Sequence, residues 1–218
     1  MTQTAPSAAR TPRFRRRRDA RPAEIIEAAL AVFVERGFAA ARLDDIARRA
    51  GVTKGTLYLY FADKQALLRA AVETYIVPRV RAVQAVLADD RKGATGALTA
   101  AVENWIRVLE DPRLSAMPKL MIGEAGNFPE FARYYVTQVI EPGLGALAGA
   151  IARGIERGEF RPVDPVLASR LLVAPMVFMA LWKHSFAKHA TRTIEPGAFA
   201  HEHLAMFLRG LAPEGATS

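Results

Sequence analysis

Apolar positions recur along this chain at three- and four-residue intervals, the signature of helices that bury one face. The first such run places Ile26, Ala29, Leu30 and Phe33 on one stripe, with Pro22 suited to its first turn and Gly37 ending it. Two short segments follow. Ile46, Ala47 and Ala50 give the first a small apolar face, Gly51 supplies the positive φ of a sharp turn, and Val52 plugs the corner. Thr53 then suits the N-cap of a second short helix, on which Leu57 and Phe61 face inward. Lys54 with Tyr58, and Thr56 with Tyr60, point elsewhere on the same helix. Two short helices joined by a tight glycine turn, with polar side chains on the outer face of the second, form a helix-turn-helix.

Beyond this unit the helical period continues and is punctuated by Pro and Gly. Asp63 can cap a long helix from Lys64 to about Ala88, with Pro78 as a kink. A helix over 94–109 carries Leu98, Ala101, Val102, Trp105 and Leu109, and Asp111-Pro112 stops it. Further helices are predicted over 113–124, over 129–157 with a bend at Pro142-Gly143, over 164–188 behind the cap Asp164, and over 196–211. No alternating strand pattern, phosphate-cradling glycine loop or internal repeat interrupts them. The predicted class is all-α. Its parts are a disordered Arg-rich arm over 1–21, a helix-turn-helix domain over 22–68, a larger helical domain over 69–211 and a short tail over 212–218.

Charge sharpens this picture. The 218-residue chain carries a net +8, and residues 1–21 hold seven Arg against the single acid Asp19, so +6 lies in the arm and +2 in the rest. Residues 1–12 are rich in Thr, Ala, Pro and Ser, lack an apolar stripe and are expected to be disordered alone. Arg15, Arg16, Arg17 and Arg18, placed just before a DNA-reading unit, can neutralise phosphates or enter the minor groove. A solvated tail, a transit peptide or a twin-arginine export signal compete for this segment. Glu24 and Glu27 interrupt the apolar run that an export signal needs.

Other chemistries find little support. There is no cysteine, which excludes disulfides, zinc-thiolate sites and a cysteine nucleophile and suits a reducing cytoplasm. His201 and His203, like His184 and His189, miss the i,i+4 spacing of a helical metal pair, so no metal or cofactor is expected. No catalytic constellation is visible, and an enzyme is not expected. The longest apolar stretch, Leu171 to Trp182, is about a dozen residues with Pro175 inside it, short of the ~20 needed to cross a bilayer, and no membrane contact is expected.

Gly37-Phe38, Asp45-Ile46-Ala47, Ala50-Gly51-Val52, Gly55-Thr56-Leu57-Tyr58, Tyr60-Phe61, Lys64 and Leu67-Leu68 together resemble the DNA-binding signature of the TetR family of bacterial transcriptional regulators. One departure is visible. The family's Thr or Ser cap on the first helix of the motif is replaced by Ala41-Arg42, and the cap is expected at Asp44. The resemblance implies a double-stranded DNA operator as partner. Thr53, Lys54, Gly55, Thr56 and Tyr58 are then assigned to base edges and nearby backbone, and Arg42, Tyr60 and Lys64 to phosphates.

The resemblance also implies a homodimer joined through the helix from Asp164 and the last helix, and a small effector held inside the larger domain. The first of those two helices is apolar nearly all round, and such a helix must be covered on every face. Trp105, Met117, Met121, Phe128, Phe131, Tyr134, Tyr135, Met176, Phe178 and Trp182 are the pool of large apolar side chains from which a ligand pocket could be drawn, with Glu124 as a counter-charge for a cationic ligand. A DNA-binding factor controlled by a protein partner, without any small-molecule ligand, is the alternative. The two differ in whether the larger domain holds a continuous cavity.

Overall fold

A computed structural model describes residues 13–213, apart from the side chains of 13–20 and of residue 90. Twelve α-helices account for the described chain: α1 (Arg13–Arg36), α2 (Leu43–Arg49), α3 (Lys54–Tyr58), α4 (Lys64–Ala71), α5 (Val77–Ala88), α6 (Gly93–Glu110), α7 (Pro112–Ser115), α8 (Met117–Glu124), α9 (Pro129–Tyr135), α10 (Glu141–Glu156), α11 (Pro165–Ser185) and α12 (Pro196–Leu211). Among the described residues there is no strand, as the periodicity requires.

Several boundaries differ from the sequence expectation, each for a backbone reason. Helix α1 begins at Arg13 and carries Pro22 inside it, so residues 13–21 are helical where an unstructured arm was expected. Arginine is a good helix former, and the proline removes one hydrogen bond of the ladder without ending the helix. The expected long helix from Lys64 is continuous in path, but Val72–Ile76 is a widened π-helical turn and Pro78 sits in the first turn of α5. The same device recurs farther on, where the π-turn Val136–Ile140 precedes Pro142 in the first turn of α10. A proline has no N–H for the carbonyl four residues back and crowds it, and a wider turn relieves both problems. The expected helix over 113–124 is broken at Ala116, with Pro118 opening α8.

Two hydrophobic cores result. The first gathers Ile25, Leu30 and Phe33 of α1, Ile46 of α2, Leu57 of α3 and Leu67 and Leu68 of α4. It does not stop at residue 68: Leu114, Met117, Leu120, Met121 and Phe131 from α7, α8 and α9 belong to it, and Glu27 pairs with Arg113 at 2.9 Å across the same junction. The second core joins Leu98, Val102 and Leu109 of α6 with Leu147 and Ile151 of α10, Leu172 and Met176 of α11 and Leu204 of α12. Each fully buried Leu or Ile contributes roughly 1.5–3 kcal/mol.

Helix α11 spans 21 residues with a mean hydropathy of 1.7, long and apolar enough by length and composition to cross a membrane, contrary to the expectation that no segment is. In this fold it is a packing helix, lying against α10, α8 and α12.

Candidate nucleic-acid interface and internal cavity

The reading unit is built from its turn outward. Gly51 adopts φ +65°, a conformation that strains any residue with a side chain, and the chain then closes through Val52 N–H donating to the Ala47 carbonyl at 3.0 Å. Thr53 caps α3 as expected: its Oγ1 accepts from the Thr56 N–H at 3.1 Å and lies 2.9 Å from the Thr56 hydroxyl. Leu57 is fully buried, which anchors the five-residue helix that propensity alone could not hold. Asp63 caps α4 by accepting from Ala66 N–H at 2.8 Å. The cap of α2 is a correction. Arg42 stands at the N-cap without a side-chain hydrogen bond, and Asp44 lies inside the first turn, where its charge favours the helix dipole.

The outer face brings Arg42, Lys54, Tyr58 and Lys64 around one shallow groove floored by Phe38 and Phe128. Arg42, Thr53, Lys54, Gly55 and Tyr58 are exposed, whereas Thr56 and Tyr60 are half-buried, Tyr60 against the first core. Lys54 pairs with Asp44 at 2.9 Å. Their hydrogen bond holds the Asp44 carboxyl below, and the Lys54 ammonium above, the ordinary range. That pair must open before Lys54 can reach a base. Lys64 is largely committed inward: its Nζ donates to the carbonyls of Phe38 at 2.8 Å and Ala39 at 3.1 Å and sits 4.9 Å from the Phe38 ring centre. Its first task is to tie α4 to the loop after α1, with one N–H left over for a phosphate. Arg15, Arg16, Arg17 and Arg18 lie on the first turns of α1, and their side chains fall outside the described residues.

One residue of this face escaped the sequence reading. Leu59 is 82 % exposed at the end of α3, an apolar side chain presented outward by the phase of a helix that continues only as a turn. Gly55, assigned to the DNA-facing surface from the sequence, lies exposed in the first turn of α3. Its φ is outside the left-handed region, and an added Cβ would meet nothing closer than Thr53 Oγ1 at 3.9 Å, so no internal contact demands a glycine.

Between the two cores lies an apolar cavity of about 370 Å³. Six of the ten expected pocket residues line it: Trp105, Met117, Met121, Phe131, Tyr135 and Met176. Four do not. Phe128 packs edge-on against Phe38 at 5.3 Å in the DNA-reading half, because α9 docks there. The Tyr134 hydroxyl donates to Glu73 at 3.1 Å and its ring lies under the Arg69 guanidinium. Trp182 lies in tilted contact between Phe178, 6.2 Å away, and Phe186, 5.6 Å away, with Phe178 itself outside the lining. Glu124 accepts from Asn127 at 3.1 Å and is not among the lining residues, so it supplies no counter-charge.

Most of the remaining lining is aliphatic: Val80 and Val83 of α5, Val108 of α6, and Val139, Leu144 and Leu147 around the second π-turn. A search for large aromatic and thioether groups could not find these. Burial pushes the Tyr135 phenol up to about 12 and keeps it neutral. Arg79 is the only charged side chain in the lining, and its guanidinium donates to the Tyr75 carbonyl one turn back.

On the other side of α11, Leu167, Leu171 and Phe178 are more than half exposed, as is Met206 on α12. Leu204, by contrast, is buried in the chain's own second core. Near its end, α11 is fastened to α6, α7 and α8 by Lys183 Nζ to Leu109 O at 2.5 Å, by Lys119 Nζ to His184 O at 2.6 Å, and by a 2.8 Å bond between Ser115 Oγ and His184 Nε2. Ser115 spends its hydroxyl hydrogen on the Asp111 carbonyl, so His184 is the donor in that bond. Burial, together with Lys183 and Lys119, holds the His184 pKa below its ordinary value.

This arrangement has clear relatives. Residues 25–71 match the family model described as bacterial regulatory proteins, tetR family, and residues 88–194 match that of the tetracyclin repressor-like C-terminal domain. The HTH-type transcriptional regulator YfiR of Bacillus subtilis is 25% identical over 156 residues, covering 68% of this chain and 72% of that protein. The HTH-type transcriptional activator FasR of Mycolicibacterium smegmatis is 38% identical over 96 residues, 43% of this chain and 42% of FasR. Among solved structures, the complex with triclosan of SmeT, the repressor of the Stenotrophomonas maltophilia multidrug efflux pump SmeDEF, superposes with a TM-score of 0.73 at 26% identity and covers 91% of this chain and 95% of that one. With one family model over the reading unit, a second over the helices that enclose the cavity, and solved relatives of the same all-helical layout, the chain belongs to the TetR family of transcriptional regulators.

Proposed function

We propose that this protein is a homodimeric transcriptional repressor that holds a palindromic operator and releases it when a small, mainly apolar ligand enters the cavity. The observation that carries this reading is the cavity's position. Met117, Met121 and Phe131 belong to the core that holds the reading helices, Leu147, Leu172 and Met176 belong to the other core, and all six line the same space. A ligand that fits one relative placement of the two cores better than another shifts their equilibrium by its differential affinity, and only by that. The path from α4 through the widened turn Val72–Ile76 into α5 runs from the reading unit to the cavity wall, and a π-turn has a looser ladder than the helix around it. The exposed apolar face of α11 supports a second copy as its cover. Two reading helices related by a two-fold axis then meet DNA one or more turns, about 34 Å each, apart. The partner-controlled alternative needs no cavity, and a continuous one of about 370 Å³ favours the ligand. The setting proposed is the bacterial cytoplasm.

The test is reciprocal linkage. Operator affinity is measured by fluorescence anisotropy on a palindromic duplex selected from a random pool, with and without triclosan as first probe, followed by a panel of apolar compounds. An inducer must weaken operator binding and must itself bind less tightly, by the same factor, when operator is present. Compounds that occupy the cavity yet leave operator affinity unchanged would refute the ligand-controlled reading.

A further inference from the structure

The charge and hydrogen-bonding groups around the cavity limit what it accepts. Of the side chains that line it, none is acidic, and the one base, Arg79, already donates to the Tyr75 carbonyl. A cationic ligand would therefore give up its hydration for a chamber that offers no carboxylate and one positive neighbour, the costliest form of burial. A carboxylate would find Arg79 as the one positive charge in the lining, beside the neutral side chains of Asn104, Trp105 and Tyr135, and would lose most of its hydration as well.

One polar atom stands out. Trp105 lines the cavity from α6, and its indole N–H is buried with no hydrogen-bond partner, the only such side-chain atom among the described residues. An indole nitrogen can only donate, so a partner must bring an acceptor. Buried donors are rarely left unpaired in folded proteins, and an orphan beside a cavity is one that an occupant can satisfy with a small rotation of the ring. At the mouth, Ile122 (58% exposed), Val136 and Ile140 line the same cavity while facing solvent, so the entrance is aliphatic too.

We infer that the effector is an uncharged molecule with an extended apolar body and a single acceptor oxygen, of the ketone, ester or ether class, whose oxygen takes the Trp105 N–H. This assignment rests on the ligand-controlled reading above and adds its chemical class. Trp105 is then the specificity-determining residue, and the absence of a lining acid is the filter against cations.

Four probes of one chain length separate the possibilities in calorimetric titrations of the full-length protein: 2-decanone, 1-decene, decanoate and decyltrimethylammonium. The ketone is expected to bind about tenfold more tightly than the alkene, the increment of one well-formed neutral hydrogen bond in a dry site, and tenfold or more tightly than either ion. In Trp105→Phe the ketone falls to the level of the alkene while the alkene keeps its affinity, which also shows that the cavity has folded. Should that variant not fold, the ratio of ketone to alkene in wild type still decides the acceptor, and the ratio of ketone to ammonium the charge filter. Equal binding of ketone and alkene would overturn the role of Trp105. Decanoate binding above the ketone would move the polar end to Arg79, and ammonium binding as tight as the ketone would remove the charge filter. These results would leave ligand control intact, whereas binding of none of the four would overturn both this inference and the reading on which it rests.

Discussion

Substituting Gly55 should move stability and DNA affinity in opposite directions. An alanine at this position has room, since its Cβ would meet nothing nearer than Thr53 Oγ1 at 3.9 Å, and the backbone is not in the left-handed region. Glycine costs a helix up to about 1 kcal/mol relative to alanine, less in a first turn, so Gly55→Ala should stabilise the fold by about 0.5 kcal/mol. For a chain of this size that raises the melting temperature by roughly 1–2 °C. On the DNA side the new methyl group occupies the exposed surface through which the start of α3 approaches phosphate or base. Holding one charge-assisted hydrogen bond out of reach costs about 1.5–3 kcal/mol, between tenfold and a hundredfold in affinity for each half-site. Gly55→Leu should cost more still, with little change in melting temperature. Thermal unfolding by circular dichroism and anisotropy titration of a selected palindrome give the two numbers independently. A Gly55→Ala protein that binds operator as wild type does would show that α3 does not approach DNA through this residue, and loss of both stability and binding would show that the glycine serves the fold.

Three further outcomes follow from contacts elsewhere. Leu171→Asp with Phe178→Asp should yield folded monomers, because both side chains are more than half exposed in the single chain and contribute little to its core; sedimentation velocity at micromolar concentration that still shows dimers would move the interface elsewhere. Lys64→Met should lower stability by about 1–3 kcal/mol through the orphaned carbonyls of Phe38 and Ala39, and a melting temperature unchanged beside a weaker operator affinity would make the lysine a phosphate contact alone. His184 has a folded pKa below its ordinary 6.5, so the unfolded chain binds more protons as pH falls through that value; wild type should lose stability on acidification from pH 7 toward 5, and His184→Gln should flatten that part of the profile in denaturant titrations. Parallel slopes for the two proteins would remove His184 as the source.

The reading helices were legible in the sequence because everything that makes them is local. Gly51 needs a positive φ, Thr53 caps the helix three residues before its partner N–H, and Leu57 sits one helical phase away from Tyr58. Each is decided by residues within one or two turns of chain, and so is the cap Asp164 ahead of the long apolar helix. The two π-turns were only half legible. Pro78 and Pro142 announced a disturbance, but whether a proline kinks, ends or widens a helix depends on what packs against it.

What the sequence by itself determined, then, is the helical class, the reading unit and the apolar character of the chain's second half, since periodicity, capping and turn chemistry act over a few residues. What only the tertiary structure decided is which apolar side chains face one another. Phe128, Tyr134 and Trp182 have the same composition-level claim to the cavity as Phe131, Tyr135 and Met176, and neighbours distant in the chain, Phe38, Glu73 and Phe186 with Phe178, draw them away. The turning of Lys64 toward the carbonyls of Phe38 and Ala39, some 26 and 25 residues before it, and the sharing of Met117 and Met121 between the reading core and the cavity wall, have the same cause. Hydrophobicity says that a side chain will be buried, being non-directional and proportional to area, whereas the partner it is buried against is set by how the helices dock.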